Sequence, residues 1–280
     1  NSHEWPNKPL EWPNKPLKEA ELSVEGAPFF QHEPARLRLP AAIRIPQTQD
    51  GAVSGTCTTG FLMVSFYSED YTDRARRLQA SCSAHAVCCS LSLVPRDAFG
   101  TDVPAPELRA RLIATKPLFM LAAHVRTGLP IAWVDIDFEV VAFPALFVHG
   151  SPSGCDVALF NWQANVSAFH GRRLKMASGV AYFNQTQAAR RLLRAWAEAM
   201  AYPSNHRAAD DQVMDEVVNR GGWRDRADFC WLPASYLFIA GRHRTQGVAP
   251  VLEHDRGRPV GRNSRGLRTE PAKLPPSWET

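Results

Sequence analysis

Two aspartates at the end of an apolar stretch are the residues best placed to do chemistry. Asp135 and Asp137 interrupt a run of apolar and β-branched residues over 131–141, which predicts a buried strand. Side chains two residues apart in a strand project to the same side, so the two carboxylates are predicted to share one target. Carboxylate oxygens suit divalent cations such as magnesium, calcium or manganese. The pattern therefore indicates a cation site, although one Asp-x-Asp is expected by chance in roughly every chain of this length.

A second pair of acids lies further along the chain. Asp210 and Asp211 are followed by Gln212 and open a predicted helix. Acids at this position also satisfy the free amide groups of a helix start and interact favourably with its dipole, so helix capping is the alternative interpretation.

Two basic residues are further candidates. Lys116 lies in a predicted helix over 107–127 and could act as a point charge, the alternative being a solvated helix lysine. His254 ends the last apolar stretch, next to a basic tail, where a surface histidine is the ordinary interpretation.

The order of predicted elements determines where these residues meet. Strands over 61–67, 86–93 and 131–141 alternate with helices over 71–80 and 107–127. Further strands are predicted at 156–160 and 178–184, a helix at 187–201, a helix from 208, and apolar stretches at 231–236 and 251–254. This alternation predicts an α/β fold with a doubly wound, mostly parallel sheet flanked by helices. Ligands of such sheets bind beyond the carboxyl ends of the strands, where Asp135 and Asp137 fall.

The composition of the chain and its Pro-rich and basic terminal segments predict a single domain with irregular arms at both ends. The chain has 280 residues, 45% of them hydrophobic and 21% charged, and a net charge of +4, so nucleic acid is not an expected partner. We expect residues 1–50 to form an extended Pro/Trp-rich arm, in which the segment 4–10 is repeated at 11–17. Residues 51–255 are predicted to form the domain, and residues 256–280 a basic, flexible tail. Arm and tail suit a protein partner, and a disordered arm is the alternative.

The cysteines and the chain start bear on compartment. Six cysteines show no zinc-ligand spacing, which favours buried free thiols, with one or two disulfides as the alternative. The chain begins at Asn1 without a signal-peptide pattern. If an anchor lies upstream we expect the lumen of the secretory pathway (Golgi), and otherwise an organelle or the cytoplasm.

Four short motifs, in this order, resemble those of nucleotide-diphospho-sugar transferases with the GT-A fold. They are Lys116-Pro117, the stretch Trp133 to Asp137, Ser178-Gly179 through Phe183, and Asp210-Asp211-Gln212. The likeness covers residues 60–254 and implies a GT-A-like domain, with no counterpart for the arm or the tail. One departure is Glu139, a third acid where the family pattern has a small or apolar residue.

The resemblance implies a metal-dependent glycosyltransferase that moves a sugar from a UDP- or GDP-linked donor to a glycan or protein acceptor, with retention of configuration weakly favoured. It implies Mn²⁺ or Mg²⁺ held by Asp135, Asp137 and His254, and catalytic roles near the anomeric carbon for Asp211 and Gln212. It implies donor binding by Phe66, Tyr67, Lys116, Asp156, Ser178, Gly179 and Asp210. For Phe66 core packing is the alternative, for Asp156 a structural role at the start of a strand, and for Ser178 and Gly179 a simple turn.

Two other functions stay open on sequence grounds. One is a catalytically inactive, transferase-like subunit of a larger assembly, suggested by the arm and the tail. The other is a haloacid-dehalogenase-like phosphotransferase, whose nucleophile also lies in Asp-x-Asp after a strand. That class has Thr or Val where Glu139 stands, and its nucleophile follows the first strand rather than the third.

Overall fold

A computed structural model describes residues 39–46, 59–148, 154–162, 175–205, 207–240 and 247–256. The described strands are β1 (Leu62–Tyr67), β2 (Cys89–Leu93), β3 (Ile131–Val134), β4 (Phe138–Val140), β5 (Val157–Asn161), β6 (Met176–Phe183), β7 (Phe229–Trp231), β8 (Phe238–Ile239) and β9 (Leu252–His254). The described helices are α1 (Thr72–Ala84), α2 (Ala105–Thr127), α3 (Gln187–Ala201) and α4 (Asp210–Arg220). Most of the predicted arm and nearly all of the predicted tail lie outside these residues.

The central sheet has the strand order β2-β1-β3-β6-β5-β7. Every strand runs in the same direction except β6, which is antiparallel to both β3 and β5. The prediction of a mostly parallel α/β sheet flanked by helices is confirmed. Because β6 is reversed, its amino end lies beside the carboxyl end of β3, so residues from the start of one strand and the end of the other meet at one edge.

The predicted strand over 131–141 is wrong in its middle. The chain leaves the central sheet after Val134, turns through Asp135 to Asp137, and resumes as β4 in a separate sheet with the order β4-β9-β8. The amide of Phe138 donates a hydrogen bond of 3.0 Å to the carbonyl of Asp135, which closes the turn. The two aspartates therefore lie on a turn between two sheets, and the same-side argument for an extended chain does not apply to them.

The helices pack on both faces of the central sheet. Phe119 of α2, Trp196 of α3 and Val217 of α4 belong to one apolar core, and Leu78 of α1 belongs to the core on the other face. Helix α3 matches its predicted bounds because the Thr186 hydroxyl accepts a hydrogen bond from the amide of Ala189. Helix α2 continues through its internal proline.

Part of the predicted arm packs against this core. Ile43 is buried among core residues, and the Ser92 hydroxyl donates to the carbonyl of Arg44 at 2.6 Å. In the described part of the chain, the longest helices are too short or too polar to cross a membrane.

The expectation of free thiols is wrong for part of the cysteine set. Cys155 and Cys230 form a disulfide between the residues before β5 and the paired strand β7, and Cys88 is also disulfide-bonded. Cys82 and Cys89 are free thiols. The sequence contained no local signal for this pairing, because the bonded cysteines are 75 residues apart and meet only through the β5–β7 register.

Candidate active site

A buried lysine joins two of the predicted motifs at the carboxyl edge of β3. Lys116 Nζ lies 3.1 Å from Asp135 Oδ1 and 2.8 Å from Asp210 Oδ2, and its side chain is only 6% exposed. It also donates to the carbonyl of Ser178 at 2.7 Å and lies 4.8 Å from the centre of the Trp133 ring. The alternative interpretation of Lys116 as a solvated helix residue is therefore wrong.

The electrostatics of this cluster keep the lysine charged. Burial alone lowers the pKa of Lys116, but attraction to Asp135 and Asp210 outweighs it, and the pKa is raised. Burial raises the pKa of Asp135, as do neighbouring carboxylates, whereas Lys116 lowers it. The net effect is that the pKa of Asp135 is raised above its ordinary value, with burial as the largest cause.

The start of β6 shapes the pocket around Asp135. The Asp135 amide donates to the carbonyl of Gly179 at 2.8 Å, and the Trp133 indole donates to Asp135 Oδ1 at 2.7 Å. A Cβ atom on Gly179 would lie 3.2 Å from Asp135 Oδ2 and 3.5 Å from Phe138 Cε2. Glycine is therefore the residue that lets the carboxylate pack against this strand.

A second cluster contains the other aspartate of the motif. Ligand atoms of Asp137, His254 and Asp255 lie within 4.8 Å of one another. His254 comes from the end of β9, directly opposite Phe138 in β4, and its Nε2 atom lies 3.2 Å from Asp137 Oδ2. Asp255 follows with a positive φ of 47°, a conformation that aspartate tolerates better than most residues.

Charge pairing shifts the pKa values in this cluster in opposite directions. The hydrogen bond to Asp137 raises the pKa of His254, and this effect outweighs burial. Burial by itself raises the pKa of Asp137, but the hydrogen bond from His254 and the charge of Arg74 outweigh it and lower the pKa. Arg74 Nη1 lies 3.4 Å from Asp137 Oδ2, and its Nη2 lies 3.2 Å from Asp255 Oδ1.

The cluster fits a divalent cation. Asp137 Oδ1 is buried and has no hydrogen-bond partner among the described residues. A buried carboxylate oxygen without a partner is costly, and a cation satisfies it. Two carboxylates and an imidazole also form a donor set that manganese accepts. Asp135 is engaged by Lys116 and Trp133, so the described arrangement brings Asp137, His254 and Asp255 together more closely than the predicted set of Asp135, Asp137 and His254.

The acids of α4 continue the same edge. Asp211 Oδ2 lies 3.7 Å from Lys175 Nζ, and Asp215 Oδ2 lies 3.1 Å from the same atom. Asp215 also accepts from the amide of Met176 at 2.7 Å, which fixes α4 against the start of β6. Burial, together with the charge of Asp210, raises the pKa of Asp211. The start of α4 therefore lies at the same edge of the sheet as Asp135, and Gln212 is half-buried next to Asp211.

The end of β1 lies at this edge too. Phe66 makes edge-to-face contacts with Trp133 and Phe119, with ring centres 5.0 Å and 5.4 Å apart. This is the core packing proposed as its alternative role. Tyr67 is half-buried at the last position of the strand.

Asp156 lies at the opposite edge of the sheet, contrary to its predicted role in donor binding. It precedes β5, whose first residue Val157 pairs with Phe183 at the far end of β6 from Gly179. Its Oδ2 atom accepts from the amide of Asp228 at 2.8 Å. The structural alternative, a residue that organises the start of a strand, describes its contacts.

Sequence reasoning missed Asp255, Arg74, Lys175 and Asp215. The only signal for Asp255 was its position next to His254. The two basic residues reach their acids through strand register and helix packing, neither of which a local pattern contains.

Comparison with known proteins gives distant likenesses. No protein-family model and no curated protein matches the chain. Similar solved structures include a glycosyltransferase involved in the glycosylation of the major capsid of PBCV-1, at 12% identity over 71% of this chain and 95% of that chain, with a TM-score of 0.47. The galactosyltransferase LgtC, solved with donor and acceptor sugar analogues, has 10% identity over 70% of this chain and 87% of that chain, with a TM-score of 0.44.

The glycosyltransferase GlyE of Streptococcus pneumoniae TIGR4 has 12% identity over 71% of this chain, with a TM-score of 0.43. This chain spans 55% of the length of that protein. The likenesses are too distant to assign a family or a site, so function has to be inferred from the side chains described above.

Proposed function

We propose that this protein is a metal-dependent glycosyltransferase that transfers a sugar from a nucleotide-diphospho-sugar to an acceptor hydroxyl. The observation that carries the proposal is the buried Oδ1 atom of Asp137, which has no hydrogen-bond partner among the described residues and lies beside His254 and Asp255. The Lys116 cluster, formed by Lys116, Asp135 and Asp210, lies at the same edge of the sheet. A cation and a set of charged groups for a polar ligand are what transfer from a sugar nucleotide requires.

The cation would be Mn²⁺ or Mg²⁺, held by Asp137, His254 and Asp255, with Asp135 next to them. When bound, it supplies charge neutralisation for the diphosphate leaving group. Departure of a diphosphate needs a counter-charge more than a proton, so a carboxylate and imidazole site suits this reaction better than a general acid would.

The Lys116 cluster would hold the donor sugar. Lys116 contacts both Asp135 and Asp210, and the Asp135 side chain keeps 42% exposure. Carboxylates that are already oriented accept hydrogen bonds from sugar hydroxyls without further ordering. In this proposal Ser178 and Gly179 line the donor site with backbone, and Phe66 supports Trp133 from the core side.

Asp211 and Gln212 would lie nearest the anomeric carbon. Positive charge develops at that carbon as the leaving group departs, and a carboxylate stabilises it. Lys175 and Asp215 position this start of α4, because Lys175 contacts both acids and Asp215 binds the backbone of Met176. Retention of configuration is favoured only through the sequence resemblance.

The disulfide between Cys155 and Cys230 supports an oxidising compartment, because such bonds persist in secreted and luminal proteins. We therefore propose the lumen of the secretory pathway as the location and a glycan or protein hydroxyl as the acceptor.

Product release from sugar nucleotides tests the proposal. The purified protein is incubated with Mn²⁺ and a panel of UDP- and GDP-sugars, with and without simple sugar acceptors, and released nucleoside diphosphate is measured. We expect release with one donor class, reduced at least 100-fold by Asp211→Asn, the cost typical of losing one charge-stabilising group. The control Asp225→Asn changes an exposed acid and should leave the rate unchanged. Equal rates for both variants would contradict the assignment of Asp211.

A further inference from the structure

An arginine of α1 occupies part of the space between the acids of the cation cluster. Arg74 spans Asp137 and Asp255 with its two terminal nitrogens, and its side chain is 19% exposed. Its guanidinium also lies 5.0 Å from the centre of the Tyr71 ring. One side chain thus neutralises the same two carboxylates that a divalent cation would use.

The helix does not depend on this arginine for its position. Arg77, three residues later on the same face, lies 3.5 Å from Glu139 in β4. The Ser81 hydroxyl accepts a hydrogen bond from the amide of Val140 at 3.0 Å. The apolar side chain of Leu78 is buried in the core beneath. Arg74 could therefore leave its acids while α1 stays docked on β4.

We propose that Arg74 is a built-in competitor for the divalent cation. Its guanidinium holds Asp137 and Asp255 in the cation-free protein, and a cation displaces it. This inference rests on the cation site of the proposed function. If the guanidinium stayed about 5 Å from the bound cation, the repulsion would be roughly 1–2 kcal/mol even in water. This repulsion favours displacement and sets the scale of the competition at about tenfold in cation affinity.

The competition has a consequence for the order of binding. A cation arriving alone has to displace Arg74 and gains only the cluster, so its affinity is low. A diphosphate presents acceptors for both the cation and the released guanidinium, which pairs well with phosphate oxygens. Cation and donor should therefore bind together far more tightly than either binds separately, and the carboxylates stay neutralised between turnovers.

Direct measurement of Mn²⁺ binding tests the proposal without any activity assay. Free Mn²⁺ is counted by its electron paramagnetic resonance signal during titration of the full chain, in low salt and without nucleotide, for wild type, Arg74→Met and Arg77→Met. We expect about tenfold tighter binding for Arg74→Met and wild-type affinity, within about threefold, for Arg77→Met. The Arg77 variant removes the same charge from the same helix face, so a general charge effect would strengthen both.

The possible outcomes separate this inference from the proposed function. Equal or weaker Mn²⁺ binding by Arg74→Met than by wild type would overturn the competitor role and leave the cation site intact. No Mn²⁺ binding by any of the three proteins, shown to be folded by circular dichroism, would overturn both. If Arg74→Met does not fold, Arg74→Lys replaces it: a single ammonium cannot span both acids, so a smaller gain in affinity is expected and no gain refutes the role.

Discussion

Removal of the buried charge of Lys116 should destabilise the protein strongly. In Lys116→Met the carboxylates of Asp135 and Asp210 lose a cation 3.1 Å and 2.8 Å away and face each other across an apolar side chain. Breaking a buried ion pair by removing one partner costs about 3–5 kcal/mol. We expect the lower end, about 3 kcal/mol, because the Asp135 side chain keeps 42% exposure and water can partly solvate it.

A second lysine at the same edge provides a matched control. Lys175 also contacts two acids, Asp211 and Asp215, but its side chain is 39% exposed. Exposed pairs contribute about 0–1 kcal/mol, so Lys175→Met should cost no more than about 1 kcal/mol. The two variants delete the same group with a similar number of partners, and they differ chiefly in burial.

Urea unfolding followed by tryptophan fluorescence measures both variants. A loss of about 3 kcal/mol corresponds to a drop in Tm of about 6–12 °C for a domain of this size. The cost should shrink at low pH, because unpaired carboxylates protonate and no longer repel each other. The double variant Lys116→Met/Asp210→Asn should regain part of the loss. Equal and small losses for Lys116→Met and Lys175→Met would refute the interpretation of Lys116 as a buried structural charge.

Three further predictions follow from single residues. Burial lowers the pKa of His124 to about 4, so below about pH 6.5 the unfolded chain takes up a proton before the folded protein does. The free energy of unfolding should therefore fall by about 2 kcal/mol at pH 5. His124→Gln can still donate to the Asn184 carbonyl and should remove this part of the loss in urea titrations. Burial raises the pKa of Glu198 to about 7, so its ionisation costs stability as pH rises from about 4.5 to 7. Glu198→Gln should therefore raise the free energy of unfolding by about 1–2 kcal/mol at pH 8 and negligibly at pH 4. No gain at pH 8 would contradict this prediction. Gly179→Ala places a methyl group 3.2 Å from Asp135 Oδ2. The variant should weaken donor binding measured by calorimetry, while the free energy of unfolding changes by less than about 1–2 kcal/mol. Unchanged donor binding would argue against a role for the Asp135 carboxylate.

Sequence patterns were reliable where the signal is local. The bounds of α3 could be predicted because Thr186 caps it and Pro203 follows its last turn. The placement of Asp135 after a buried strand followed from apolar patterning. The turn at 135–137 could not be predicted, since Val140 and Val141 continue the apolar run and conceal the change of sheet.

Features that depend on distant parts of the chain escaped prediction. The reversal of β6 brings Ser178 and Gly179 beside Asp135, and only the register between the strands specifies it. Asp255 joins the cation cluster because β9 pairs with β4. Asp156 shows the converse error: its position along the chain matched the family pattern, but it precedes its strand and so lies at the wrong edge.

Calorimetric titration of UDP and GDP tests whether the protein binds a nucleotide through a divalent cation at Asp137. Each nucleotide is titrated into the protein with Mn²⁺ and with a chelator, using wild type, Asp137→Asn and the exposed-acid control Asp225→Asn. We expect one nucleotide to bind to wild type and to Asp225→Asn only with Mn²⁺, and Asp137→Asn to lose this binding. Failure of both nucleotides to bind the folded wild-type protein in Mn²⁺ would contradict this expectation and favour an inactive, structural role.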